Sequence, residues 1–190
     1  MRERFARLFG WRTIAAVSPL AFAALVVWNQ VLLTRLIQTA MAIPHTVPGR
    51  IIGAIGVALL LYHGILVVVV SALCTTSARL FEGPDTYVDF RTIGVAMAAG
   101  HLPLTLWALN GWLRLHTLGP SASLDALVNT ALAISGSRAV AYAVSVLWTV
   151  VALSEISSIS LARAARVVLP PAGVLIAVLK LVDRLSTPLW

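Results

Sequence analysis

The chain alternates long uncharged stretches with single cations. Arg12 and Arg35 bracket 22 uncharged residues, Arg50 and Arg79 bracket 28, and Arg91 and Arg114 bracket 22. As a helix rising about 1.5 Å per residue, each is long enough to cross about 30 Å of hydrocarbon. Two shorter runs follow, Ala139 to Ser154 and Val167 to Leu179. Inside lipid a backbone must pair its own amides, which makes each run a helix. The pattern predicts an all-α fold, a polytopic integral membrane bundle of five transmembrane helices at about 13–37, 51–78, 90–113, 138–156 and 161–182.

Polar and special residues punctuate this membrane domain, 13–185. Residues 1–12 set Arg2, Arg4, Arg7 and Arg12 among Phe5, Leu8, Phe9 and Trp11. Such a basic amphipathic segment is expected to lie in the headgroup plane as an anchor. Pro19 predicts a kink in the first helix. Glu82-Gly83-Pro84-Asp85 reads as a turn, and Gly100 and Pro103 interrupt the third helix. After Gly119-Pro120, the residues Leu124, Leu127, Val128, Ala131 and Leu132 share one helical face. With Ser123 as N-cap they predict a short interfacial or re-entrant helix at about 123–135. Ala40-Met41-Ala42 resembles a leader cleavage site, but the preceding run of 22 residues exceeds the usual hydrophobic region of about 7–15. A retained first helix is the expectation.

Composition narrows the function classes. Hydrophobic residues are 59% of the chain and charged residues 11%, against about 25% charged in soluble domains. The net charge of +7 comes from cations placed singly at the ends of apolar runs. That placement suits lipid headgroups rather than nucleic acid. Arg supplies 13 of the 14 cations, a usage that points, with the Ala and Leu richness, to a GC-rich bacterial genome. Cys74 is the sole cysteine, which excludes an internal disulfide and a thiolate metal cluster. With the N-terminus inside, cytoplasmic segments hold eight cations and outer segments six. The N-terminal cluster then sets the orientation, N-terminus cytoplasmic and C-terminus outside, in a bacterial cytoplasmic membrane. Trp112 and Trp190 are expected in the aromatic belt, and Trp28, Trp107 and Trp148 between helices.

Ser77-Ala78-Arg79-Leu80-Phe81-Glu82-Gly83-Pro84-Asp85-Thr86-Tyr87-Val88-Asp89-Phe90, then Ile93-Gly94 and Leu102-Pro103-Leu104, resembles the Yip1 family. So does Ser157-Ser158-Ile159-Ser160-Leu161-Ala162-Arg163-Ala164-Ala165-Arg166 before the last apolar run with its proline. The likeness spans about residues 12–183, though Glu82-Gly83-Pro84 stands where the family has Gly-Gly-Lys. It implies five helices, a cytoplasmic N-terminus and a non-enzymatic role. Eukaryotic members bind prenylated GTPases in vesicle traffic, and bacterial members carry no agreed activity. No catalytic residue carries over.

Few residues offer chemistry. His63 lies 15 residues before Ala78, and His101 lies 11 after Phe90, so both fall near mid-membrane on adjacent antiparallel helices. Paired imidazoles there suit axial ligation of a haem b, with Gly64 and Gly100 leaving room for a porphyrin face. The plainer alternative is that each hydrogen-bonds a carbonyl, Ser or Thr of a neighbouring helix. Asn29 and Gln30 are expected to join helices, and Arg35 to reach outward. Gly49, Gly53 and Gly56 put small residues at the start of the second helix, a close-packing face. No nucleophile–base pair, HExxH or phosphate-binding glycine loop is present. The resulting expectation is an accessory or scaffolding subunit that binds other membrane proteins or lipids, without a cofactor. A haem b electron-transfer subunit and a small solute transporter or channel are the alternatives.

Overall fold

The computed structural model describes the backbone of residues 2–42, 49–82 and 88–186, and side-chain surroundings within 10–42, 54–81 and 88–177. Those residues form helices and turns without a strand. The helices are α1 (Arg2–Ala40), α2 (Gly49–Glu82), α3 (Phe90–Ala99), α4 (His101–Leu118), α5 (Leu124–Gly136), α6 (Arg138–Ser157) and α7 (Leu161–Ser186). Among the described residues, four stretches are long and apolar enough to cross a membrane: Gly10–Ala40, Ala54–Phe81, Phe90–Leu118 and Leu124–Ser157. α7 has Arg163 and Arg166 near its start and carries the 13-residue uncharged run Val167–Leu179.

Two boundaries differ from the sequence reading. The basic segment 1–12 is not a separate helix, because α1 starts at Arg2 and runs unbroken through Pro19. Gly10, near the end of the basic segment, is accommodated within the helix. The side chains of Arg2, Arg4 and Arg7 lie outside the described residues, and Arg12 is exposed. The third helix divides at Gly100, as expected, into α3 and α4. Pro103 is tolerated because it falls in the first turn of α4, where amides have no intrahelical partner.

The second difference concerns α5, which continues into α6 rather than standing apart. It and α6 form one apolar stretch, Leu124–Ser157, laid against α4. Ser137 joins them in helical geometry (φ −79°, ψ −8°), its N–H bonded to the Ala133 carbonyl. Its hydroxyl donates to the Ile134 carbonyl at 2.8 Å and accepts from Trp107 Nε1 at 2.9 Å. The expected apolar stripe also divides. Leu127 is buried, while Leu124, Val128 and Leu132 face outward. An outward apolar face suits lipid rather than water. Ser123 caps this stretch as expected, accepting from the Ala126 amide at 3.3 Å.

Long-range contacts fix the directions of the helices. α1 runs parallel to α4: Thr105 Oγ1 donates to the Ser18 carbonyl, Asn29 Nδ2 to the Ala108 carbonyl, and Leu36 packs with Leu115. α2 runs opposite, bringing Gly56 to Val27 and His63 to Phe22. α6 is likewise antiparallel to α4, with Ala141 against Leu104 and Ala108. The largest core lies at the α3 end, where Cys74, Ala78, Ile93, Ala96, Ala152, Leu153, Ala164 and Val167 are fully buried. Small residues dominate that core, so the backbones approach closely and dispersion and hydrogen bonding, not expulsion of water, hold the helices. Cys74 is one of these packing residues.

Asp89 starts α3. Its Oδ1 accepts from the Thr92 amide at 2.7 Å. That bond holds the carboxyl below the usual carboxylate range; partial burial opposes it and the Arg91 charge assists. A depressed carboxylate stabilises the fold fully above its unfolded pKa of about 3.9, and this contribution is lost as pH falls through the lower folded value. Asp89→Ala is expected to lower stability by about 1 kcal/mol at pH 7. The difference from wild type should shrink in unfolding titrations near pH 3, and Asp89→Asn should keep most of the cap. An equal penalty at both pH values would remove the carboxylate from this role.

Candidate functional site

The middles of α1, α2 and α6 converge where α3 meets α4. Phe22 comes from α1, His63 from α2, His101 opens α4, and Ser145 and Thr149 come from α6. Both imidazoles are buried, 5% and 6% exposed. Their ring centroids are 5.5 Å apart at 69°. Phe22 sets its ring 4.9 Å from His63 and 6.1 Å from His101, and Tyr62 lies 5.2 Å from His63. The pairing expected from residue spacing is present.

The hydrogen bonds differ from the expected ones. His63 Nδ1 meets the Leu59 carbonyl at 2.9 Å, and His101 Nδ1 meets the Met97 carbonyl at 3.2 Å. Both partners lie four residues back on the ring's own helix, not on a neighbouring one. A carbonyl only accepts, so Nδ1 is the donor in each ring. His63 Nε2 is buried and has no partner among the described residues.

A haem b does not fit these residues. An axial bis-imidazole site needs the macrocycle between the rings and open space at the flanking glycines. Gly64 is open. Gly100, however, is closed by α6: an added Cβ would overlap Thr149 Oγ1 and lie 3.4 Å from the Ser145 carbonyl. Ser145 Oγ donates to the Gly100 carbonyl, locking the two helices there. Phe22 occupies the space beside both rings.

The other expected residues separate into two groups. Asn29 does join helices, through its 2.8 Å bond to α4. Gln30 does not, because it sits on the exposed side of α1. Trp28 also faces outward, 60% exposed, whereas Trp107 and Trp148 pack against the bundle. Gly56 faces α1, where an added Cβ would lie 3.5 Å from Val27. The surroundings of Gly49 and Gly53, and Trp190, lie outside the described residues.

Sequence reasoning missed Phe22, Ser145 and Thr149. The only signal was the i, i+4 spacing of two small polar residues on α6, which puts both on one helical face. The outer surface is apolar over long stretches: on α2, Leu61, Ile65 and Val68 are all more than half exposed. Comparison of the chain with protein-family models, with curated proteins and with solved structures gave no match.

Proposed function

We propose that this chain is a non-enzymatic subunit of a membrane assembly that acts by lateral binding to other membrane proteins and to lipids. One observation carries this reading: the central polar residues are sealed inside the bundle, while the surface offered outward is apolar. A protein built so engages partners through its helix faces. Leu61, Ile65 and Val68 recur at i, i+4 and i+7 on α2 and form such a face. The reading includes a bacterial cytoplasmic membrane, a cytoplasmic N-terminus and a Yip1-like order of five crossings. The fifth crossing would be α7, whose Ala164, Val167, Val168 and Pro171 are buried.

Site-specific photocrosslinking in the native membrane tests it. Probes at Leu61, Ile65 and Val68 are expected to give a discrete protein adduct, and probes at the buried Val70 and Cys74 none. If all five positions gave only lipid adducts, the lateral-partner reading would fail.

A further inference from the structure

The C-terminal end of α4 forms a groove with α5 that the bundle interior does not use. Its volume is about 350 Å³, and it is lined by Arg114, Thr117, Leu118, Asn129, Thr130 and Ala133. Arg114 is exposed and has no ion pair among the described residues. Its guanidinium presents five N–H donors in a planar fork. Asn129 adds an amide and Thr130 a hydroxyl, both able to donate. Thr117 Oγ1 instead donates to the Arg114 carbonyl at 2.9 Å, fixing that last turn. Leu118 and Ala133 supply apolar wall.

Depth gives the groove its partner. It lies at the end of the apolar stretch Phe90–Leu118. One turn away, Trp112 and His116 stack with centroids 5.1 Å apart at 13°, an amphipathic pair of the kind found at headgroup level. Arg35 of α1 is exposed at the same end, beside Leu36, which packs with Leu115. The carbonyls ending α4 bear roughly half a negative charge, which the full charge of Arg114 outweighs.

We propose that this groove binds the phosphate of an anionic phospholipid. Arg114 grips two phosphate oxygens, Asn129 and Thr130 donate to the headgroup, and the acyl chains descend past Leu118 and Ala133. The assignment rests on the membrane-crossing reading of α4 and α5 and names the lipid class within the proposed lateral binding. It uses no residue of the α2 face, so each can fail without the other.

Native mass spectrometry of the full chain, released from nanodiscs of equal phosphatidylglycerol and phosphatidylcholine, tests it. Wild type is expected to retain one phosphatidylglycerol. Arg114→Gln should lower that occupancy about five- to tenfold, Asn129→Ala less, while Arg35→Gln leaves it unchanged. Inorganic phosphate at millimolar concentration should not displace the lipid. Unchanged retention in Arg114→Gln with a wild-type helical spectrum would overturn the site. So would displacement by inorganic phosphate, which would mark a general anion site. Asn129→Ala and Thr130→Val together provide the test with Arg114 intact, and wild-type retention in that pair would also count against it.

Discussion

Gly100→Ala is expected to destabilise the protein by about 1–3 kcal/mol, the usual penalty for a methyl forced into a filled interior. The sign is informative because backbone preference runs the other way. Gly100 has ordinary right-handed geometry, φ −58° and ψ −17°. Alanine in such a position normally gains about 1 kcal/mol of helix propensity. The collision decides: the new Cβ would meet Thr149 Oγ1 on α6. A second substitution, Thr149→Ala, removes that oxygen and should restore most of the loss, while costing less than about 1 kcal/mol alone. SDS-titration unfolding in mixed micelles measures all three variants. A Gly100→Ala protein more stable than wild type would show that α3–α4 and α6 do not meet at this point.

His63→Lys is expected to have the larger effect, preventing a folded yield. At the centre of a membrane helix a lysine costs about 2.5–3.5 kcal/mol on insertion scales. Here it has no route outward, since Phe22, Tyr62 and His101 surround the ring. His63→Leu should be neutral or stabilising. It removes a buried Nε2 without a partner among the described residues, a situation that costs about 1–3 kcal/mol. It also leaves the Leu59 carbonyl its helical bond. The two outcomes, read by size-exclusion chromatography and unfolding, distinguish a sealed packing centre from a ligand site. A His63→Leu protein destabilised by more than about 2 kcal/mol would indicate that the imidazole holds something the fold requires.

The helices were legible because charge interrupts apolar runs only near their ends. Counting residues from those ends was enough to bring His63 to His101, since depth in a membrane helix is proportional to residue number. Lateral position was not legible. Nothing local in the chain states that Gly100 faces Thr149, 49 positions away. The same ignorance of facing placed Gln30 and Trp28 between helices when both point outward.

Joining α5 to α6 was hidden for another reason. Gly136 and Arg138 look like a helix boundary with a charged flank. Ser137 carries the chain across that boundary with its own hydrogen bonds. Arg138 stands on the exposed side of the stretch, where a long stem can lie along apolar surface and raise its charge toward the headgroups. The Arg114 groove was unreadable while α5 was taken for a surface helix, because its two walls belong to different elements.

The account depends on bilayer around the long apolar helices, and sided cysteine labelling in sealed membrane vesicles tests this most directly. In a Cys74→Ser background, single cysteines are placed at Ser121 and Ile159, in the turns at opposite ends of Leu124–Ser157, and at Ile65 and Leu147, outward-facing and mid-helix. A membrane-impermeant maleimide should label Ser121→Cys and Ile159→Cys from opposite sides. It should leave Ile65→Cys and Leu147→Cys unlabelled until detergent and denaturant are added. Rapid labelling of the two mid-helix positions in intact vesicles, or labelling of both turns from one side, would contradict the account.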